Sequence, residues 1–166
     1  MNGISAQGMV FIHTAQRALL AHLEWTVGRI LGEPIAPIWT HTRSGQFRTE
    51  FHWQADSRCG ADITAELMGW KSLRFEVSQE PSGGNEGYRW SYTPKLGLFQ
   101  GQIDSAGNVV VTEFQVRSVL ESVGSNAIDL QREMRALIGQ PWDDELEIYR
   151  EHGADAPVIW LKSIAN

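Results

Sequence analysis

The chain has 166 residues, a formal net charge of −6 and a pI of about 5.3. That length suits one domain, or one with an appended subdomain, and can bury a core without a metal or a disulfide framework. The acidic balance, with Lys and Arg never clustered beyond isolated pairs, excludes the basic stripe of a nucleic-acid binder.

Cys59 is the single cysteine, so no internal disulfide is possible and a reducing compartment is expected. The first residues lack a basic region followed by a long apolar core, and no apolar run reaches the length of a membrane span. A cytoplasmic location is the expectation. Seven tryptophans are many for this length, and large aromatics anchor both cores and interfaces.

In chain order, residues 9–13 are apolar on both sides, the pattern of a central, doubly covered strand. Thr14 is positioned to cap a helix in which Leu19, Leu20, Leu23, Val27, Ile30 and Leu31 recur at helical spacing. Gly32 and Pro34 predict its end. Residues 35–41 read as a second strand, held to an edge by Pro34 and Pro37.

Residues 46–54 carry the clearest signal. Phe47, Thr49, Phe51 and Trp53 fall on one side of an extended chain, and Arg48, Glu50, His52 and Gln54 on the other. A sheet with one dry and one wet face is implied. A short helix at 59–68 carries Ile63 and Leu67 at i, i+4. Residues 72–78 alternate again, with Leu73, Phe75 and Val77 inward and Arg74 and Glu76 outward. The order strand, helix, strand, strand, helix, strand predicts a ferredoxin-like βαββαβ half over residues 1–80, an antiparallel sheet with two helices on one face.

A polar, glycine-rich loop at 80–87 leads to alternating Tyr88, Trp90 and Tyr92, a partner strand at 96–103, a turn at 104–108 and a short strand at 109–111. This β-meander extends the first sheet or begins a second. Thr112 with Gln115 forms a capping box before a helix whose dry stripe is Val116, Val119, Leu120 and Val123. A second helix carries Leu130, Met134, Leu137 and Ile138. Gly139 stops it, and Pro141 opens a third, lined by Trp142, Leu146 and Tyr149. Residues 156–164 read as a closing strand. Residues 81–166 thus form a meander, three helices and a strand, expected to pack with the first half as one unit in an α+β fold.

Candidate sites stand beside plainer readings. His22 and Trp25 share a flank of the first helix, offering an aromatic anchor with a titratable neighbour, or ordinary packing. Arg48, Glu50, His52, Arg74 and Glu76 gather on the wet face as a ligand site, as a docking surface, or as solvated cross-strand pairs. Trp142 precedes Asp143 and Asp144, which with Glu147 place carboxylates near a helix start, where they complement the helix dipole. Metal binding there lacks a histidine at ligand spacing. Cys59 lies near a helix N-terminus beside Arg58, a setting that favours a thiolate, yet an ordinary part-buried cysteine fits as well. The five histidines are scattered, and no phosphate loop, dinucleotide fingerprint or nucleophile elbow occurs. No metal or cofactor is expected.

The segments at 8–13, 22–25, 47–53, 69–70, 73–77, 93–99, 139–146 and 156–161 resemble an actinobacterial family known as domain of unknown function 3145. The run Pro-Trp-Asp-Asp-Glu-Leu at 141–146 is the most specific of them. The resemblance implies a cytoplasmic protein, carries over no catalytic residues, and suggests acyl-CoA carboxylase or another enzyme of fatty-acid synthesis as partner. Three functions compete. The first is a non-catalytic accessory protein docking on a larger enzyme through Trp25, His22, Trp142 and the wet face. The second is a sensor for an acyl-CoA, amino acid or nucleotide, bound on the wet face or beside Tyr88, Trp90 and Tyr92. The third is an enzyme acting through His52, Glu50 and Arg74. The docking reading is preferred, and it requires that the C-terminal segments leave the wet face uncovered.

Overall fold

The computed structural model describes residues 5–56 and 58–151. They form a mixed α+β fold with one seven-stranded antiparallel sheet and five helices. The strands are β1 (Ser5–Ala15), β2 (Thr40–His41), β3 (Phe47–Asp56), β4 (Arg74–Gln79), β5 (Gly87–Thr93), β6 (Gly97–Ile103) and β7 (Val109–Val110). The helices are α1 (Leu20–Leu31), α2 (Cys59–Leu67), α3 (Glu113–Val123), α4 (Ala127–Leu137) and α5 (Gln140–Glu151). The sheet order is β2-β3-β1-β4-β5-β6-β7.

β1 lies between β3 and β4, which explains why its sequence is apolar on both sides. The registers Val10↔Phe51, Val10↔Val77, Ile12↔Phe75 and Val77↔Trp90 place those side chains on one face, because directly opposed residues point the same way. α1 and α2 cover this face. Leu23 and Val27 from α1 and Ile63 and Leu67 from α2 join Val10, Ile12, Trp53, Phe75, Val77, Trp90 and Tyr92 in one core. Each such side chain taken from water contributes roughly 1.5–3 kcal/mol before entropy is counted. Gly8 allows β4 to approach: a Cβ there would lie 1.8 Å from the Ser78 carbonyl oxygen.

The observed elements depart from the expected ones in two places, the start of α1 and the length of β2. Thr14 does not cap α1. A register shift between Ile12 and Thr14 carries β1 on to Ala15, and a 3-10 turn at Arg17–Leu19 leads into the helix instead. The strand expected at 35–41 contracts to Thr40–His41, consistent with the missing donors at Pro34 and Pro37. The meander joins the first sheet through the β4–β5 ladder, so both expected halves share one sheet. The closing strand expected at 156–164 lies outside the described residues.

Other local signals read correctly. Gly32 ends α1 with φ 78°. Thr112 and Gln115 form the reciprocal capping box of α3. The α3–α4 hairpin has no fully buried residue, whereas α5 turns back onto the sheet.

Phe75 has no exposed surface and stacks on Tyr92 with ring centroids 5.3 Å apart. Phe75→Ala is expected to lower the unfolding free energy by about 3–5 kcal/mol. Urea denaturation at neutral pH measures this, and a loss below about 1 kcal/mol would contradict the packing described.

Candidate functional site

The reverse face of the sheet carries the ionisable alternation seen in the sequence. The registers Phe11↔Glu50, Phe11↔Glu76, Met9↔His52, Glu76↔Ser91 and Ser91↔Phe99 place these residues together on that side. This face was expected to be open, but α5 covers much of it. Leu146 is fully buried beneath the helix. Trp142 packs on Phe99 with centroids 5.4 Å apart, and its Nε1 donates to the Gly97 carbonyl at 3.0 Å. The Arg74 guanidinium lies 4.7 Å from the centroid of the Tyr149 ring.

Under α5 lies a continuous chain of buried ionisable groups. Glu76 is 1% exposed and its carboxylate accepts four hydrogen bonds from three side chains. His13 Nε2 donates to Oε2 at 2.7 Å, and Arg150 Nε to the same oxygen at 3.1 Å. Arg150 Nη2 and the Ser91 hydroxyl, the latter at 3.3 Å, reach Oε1. Arg150 Nη2 also donates to Asp143 Oδ1 at 2.9 Å, and Arg89 Nη2 to Asp143 Oδ2 at 3.1 Å. The turn feeding α5 fits tightly here. Gly139 has φ 79°, and a Cβ on it would lie 2.7 Å from the Phe99 ring and 2.9 Å from Arg89 Nη2.

Burial pushes the Glu76 carboxyl upward, but the His13 hydrogen bond and the Arg150 charge outweigh it and hold the group well below the usual carboxylate range. For Arg150, burial acts downward and is overcome by Glu76 and Asp143, so its pKa is raised further. A carboxylate so strongly stabilised as the anion is a poor proton acceptor. The cluster therefore acts as a fastening between β4 and α5.

The expected site residues divide accordingly. Arg74 and Glu76 lie in the α5–sheet contact, so their expected place on an uncovered sheet face is corrected, and Trp142 and Asp143, expected near a helix start, meet the sheet from α5. Asp144 is exposed and accepts from Gln140 Nε2 at 2.7 Å. Arg48 and Glu50 are half-buried on β3, and Arg48 Nη1 and Glu50 Oε2 are shielded from water with no hydrogen-bond partner among the described residues. His52 is exposed beside them in sequence alternation. β1 separates β3 from β4, and the registers set Glu50 and His52 opposite Phe11 and Met9 but Arg74 opposite Thr14, so both stand more than two strand spacings, over roughly 10 Å, from Arg74. That spacing does not suit a single catalytic constellation.

Tyr88, Trp90 and Tyr92 lie on the helix side of the sheet. Trp90 and Tyr92 are core residues of the helix face, and Tyr88 stacks on Trp90 at 5.7 Å. Cys59 is buried in the same core. The sequence reading missed His13, Arg89 and Arg150. The available signal was Asp143, Leu146 and Arg150 at i, i+3, i+7, which put both charges on the inner stripe of α5.

A second feature lies on the helix layer. Trp25 and Ile38 are exposed by 67% and 86%. Trp25 borders an open groove of ≈ 610 Å³ that also takes in Ala21, Gly28, Gly32, Pro34 and Ile35. Trp39 Nε1 donates to Glu24 Oε1 at 2.7 Å and ties the loop after α1 back to the helix. His22 is exposed on the same helix.

Removing one partner of the buried pair leaves an uncompensated charge, so Glu76→Ala is expected to cost about 3–5 kcal/mol. The folded pKa of Glu76 is lowered, so its stabilisation is present above the unfolded-state value of about 4.3 and is lost as the pH falls toward the folded one. The urea midpoint should be level near neutrality and decline below about pH 4.3. Glu76→Leu combined with Arg150→Met should flatten that acid decline and recover stability relative to Glu76→Ala. An unchanged acid slope in the double variant would refute the assignment.

The chain belongs to the family described as protein of unknown function (DUF3145), which it matches over residues 9–163. No curated protein and no solved structure matches it.

Proposed function

We propose that this member of the DUF3145 family is a non-catalytic accessory protein that docks on a larger cytoplasmic enzyme. The enzyme class to test first is acyl-CoA carboxylase or another component of fatty-acid synthesis, the partner that the sequence resemblance suggests. One observation carries the docking reading: Trp25 stands largely in solvent on the rim of an open groove, and Ile38 in the loop after α1 is exposed as well. Trp is the residue type most enriched among interface hot spots, and exposing two large apolar side chains gives the isolated molecule no benefit.

The buried chemistry supports the same reading. The strongest ionisable cluster is consumed by fastening α5, which leaves its carboxylates in a structural role. The docking surface accordingly moves from the reverse face of the sheet to the flank of α1. On the fold, the run β2-β3-β1-β4 with α1 and α2 on one face has the strand order of a ferredoxin-like βαββαβ unit, extended by β5, β6 and β7.

Purification of the tagged protein from the organism that encodes it, in parallel with Trp25→Ala and Ile38→Ser, tests the proposal. A stoichiometric partner is expected with the unaltered chain, and each variant should reduce its recovery roughly tenfold, as loss of a hot spot does. Both positions are exposed, so thermal stability should change by no more than about 0.5 kcal/mol. Recovery of the protein alone under gentle salt would overturn the reading.

A further inference from the structure

We infer that the groove beside Trp25 takes a partner segment that presents a lysine or arginine next to a large apolar side chain. The inference rests on the docking reading and adds the chemistry of the partner. Arg29, the cation of the groove, is already engaged. Its guanidinium lies 5.5 Å from the centroid of the Trp25 ring, and Nη2 donates to Glu66 Oε1 on α2 at 3.0 Å. Glu24 and Glu33 also line the groove, and Glu33 is exposed. With Arg29 paired to Glu66, the other charged residues lining the groove are the carboxylates of Glu24 and Glu33.

An incoming cation is drawn to these carboxylates on the rim that Trp25 forms. The apolar neighbour of that cation has a place against Ala21, Pro34 and Ile35, where Gly28 and Gly32 contribute no side chains. The net charge of −6 over the whole chain steers a basic partner toward the protein from a distance. Phosphate-bearing ligands such as acyl-CoAs and nucleotides would have to bring their negative charge beside the same carboxylates. The charge balance disfavours them here.

The full chain labelled with 5-fluorotryptophan provides the test, with the Trp25 fluorine resonance assigned by its loss in Trp25→Phe. Two synthetic amphipathic peptides are titrated, identical except that one carries Lys and the other Glu on its polar face. The Lys peptide is expected to shift the Trp25 resonance saturably, and the Glu peptide to leave it in place. Glu33→Lys should weaken the Lys peptide roughly tenfold, whereas Glu121→Lys on the distant α3 should change it less than about twofold. Equal responses to the two peptides, or equal losses from the two reversals, would overturn the charge preference. A Trp25 resonance unmoved by either peptide would remove the groove as the basic-segment site. The docking reading is judged separately, by whether a partner purifies with the unaltered protein.

Discussion

The bidentate contact between Glu76 and Arg150 is the constraint on which the arrangement of the second half depends. Glu76 stands in the middle of a sheet, on a strand flanked by β1 and β5, with almost no access to solvent. An isolated carboxylate in that position would be costly by several kcal/mol. Its ionisation is tolerable because His13, Ser91 and Arg150 donate to both of its oxygens. Arg150 arrives from α5, so the anion on the sheet specifies where that helix must lie. Asp143 and Arg89 repeat the pairing about two turns earlier on the helix and fix its direction across the strands. Apolar packing by Leu146, and by Trp142 on Phe99, adds the burial that charge pairing alone does not supply.

This fastening divides the surface of the molecule. The alternating charged residues of β3 and β4 look equivalent along the chain, yet they meet different fates. Glu76 and Arg74 lie beneath α5, and His52, on the far side of β1, stays in water. The docking surface then has to be sought where large apolar groups remain uncovered. Trp25 on the flank of α1 and Ile38 in the following loop remain exposed, and Glu24 and Glu33 line the groove that Trp25 borders.

The α3–α4 hairpin contrasts with both. Its helices are eleven residues each, capped by Thr112 and Asn126, and none of their residues is fully buried. Helices this short have little intrinsic stability in water, so capping and the packing of α3 against α4 carry much of the weight. The hairpin also sets the distance between the sheet edge at β7 and the start of α5. It thereby delivers Gly139, with its positive φ, to the narrow space beside Phe99 and Arg89 where no side chain fits.

Local chemistry made a large part of this legible from the residues alone. Period-two alternation located β3 and β4, helical spacing located α1, and Gly32 and the Thr112–Gln115 box marked where helices stop and start. These signals act within a few residues, so one strand of sequence contains all their information. The extension of β1 through a register shift, the shortening of β2 and the covering of the reverse face depended on neighbours far along the chain. Glu76 and Arg150 are 74 positions apart. Alternation can say that Glu76 points away from the core of α1 and α2. It cannot say that a later helix will bring a guanidinium to that spot, because burial and ion pairing are properties of the assembled sheet. The sequence by itself determined which side chains share a face, and only the tertiary structure decided which of those faces meets water.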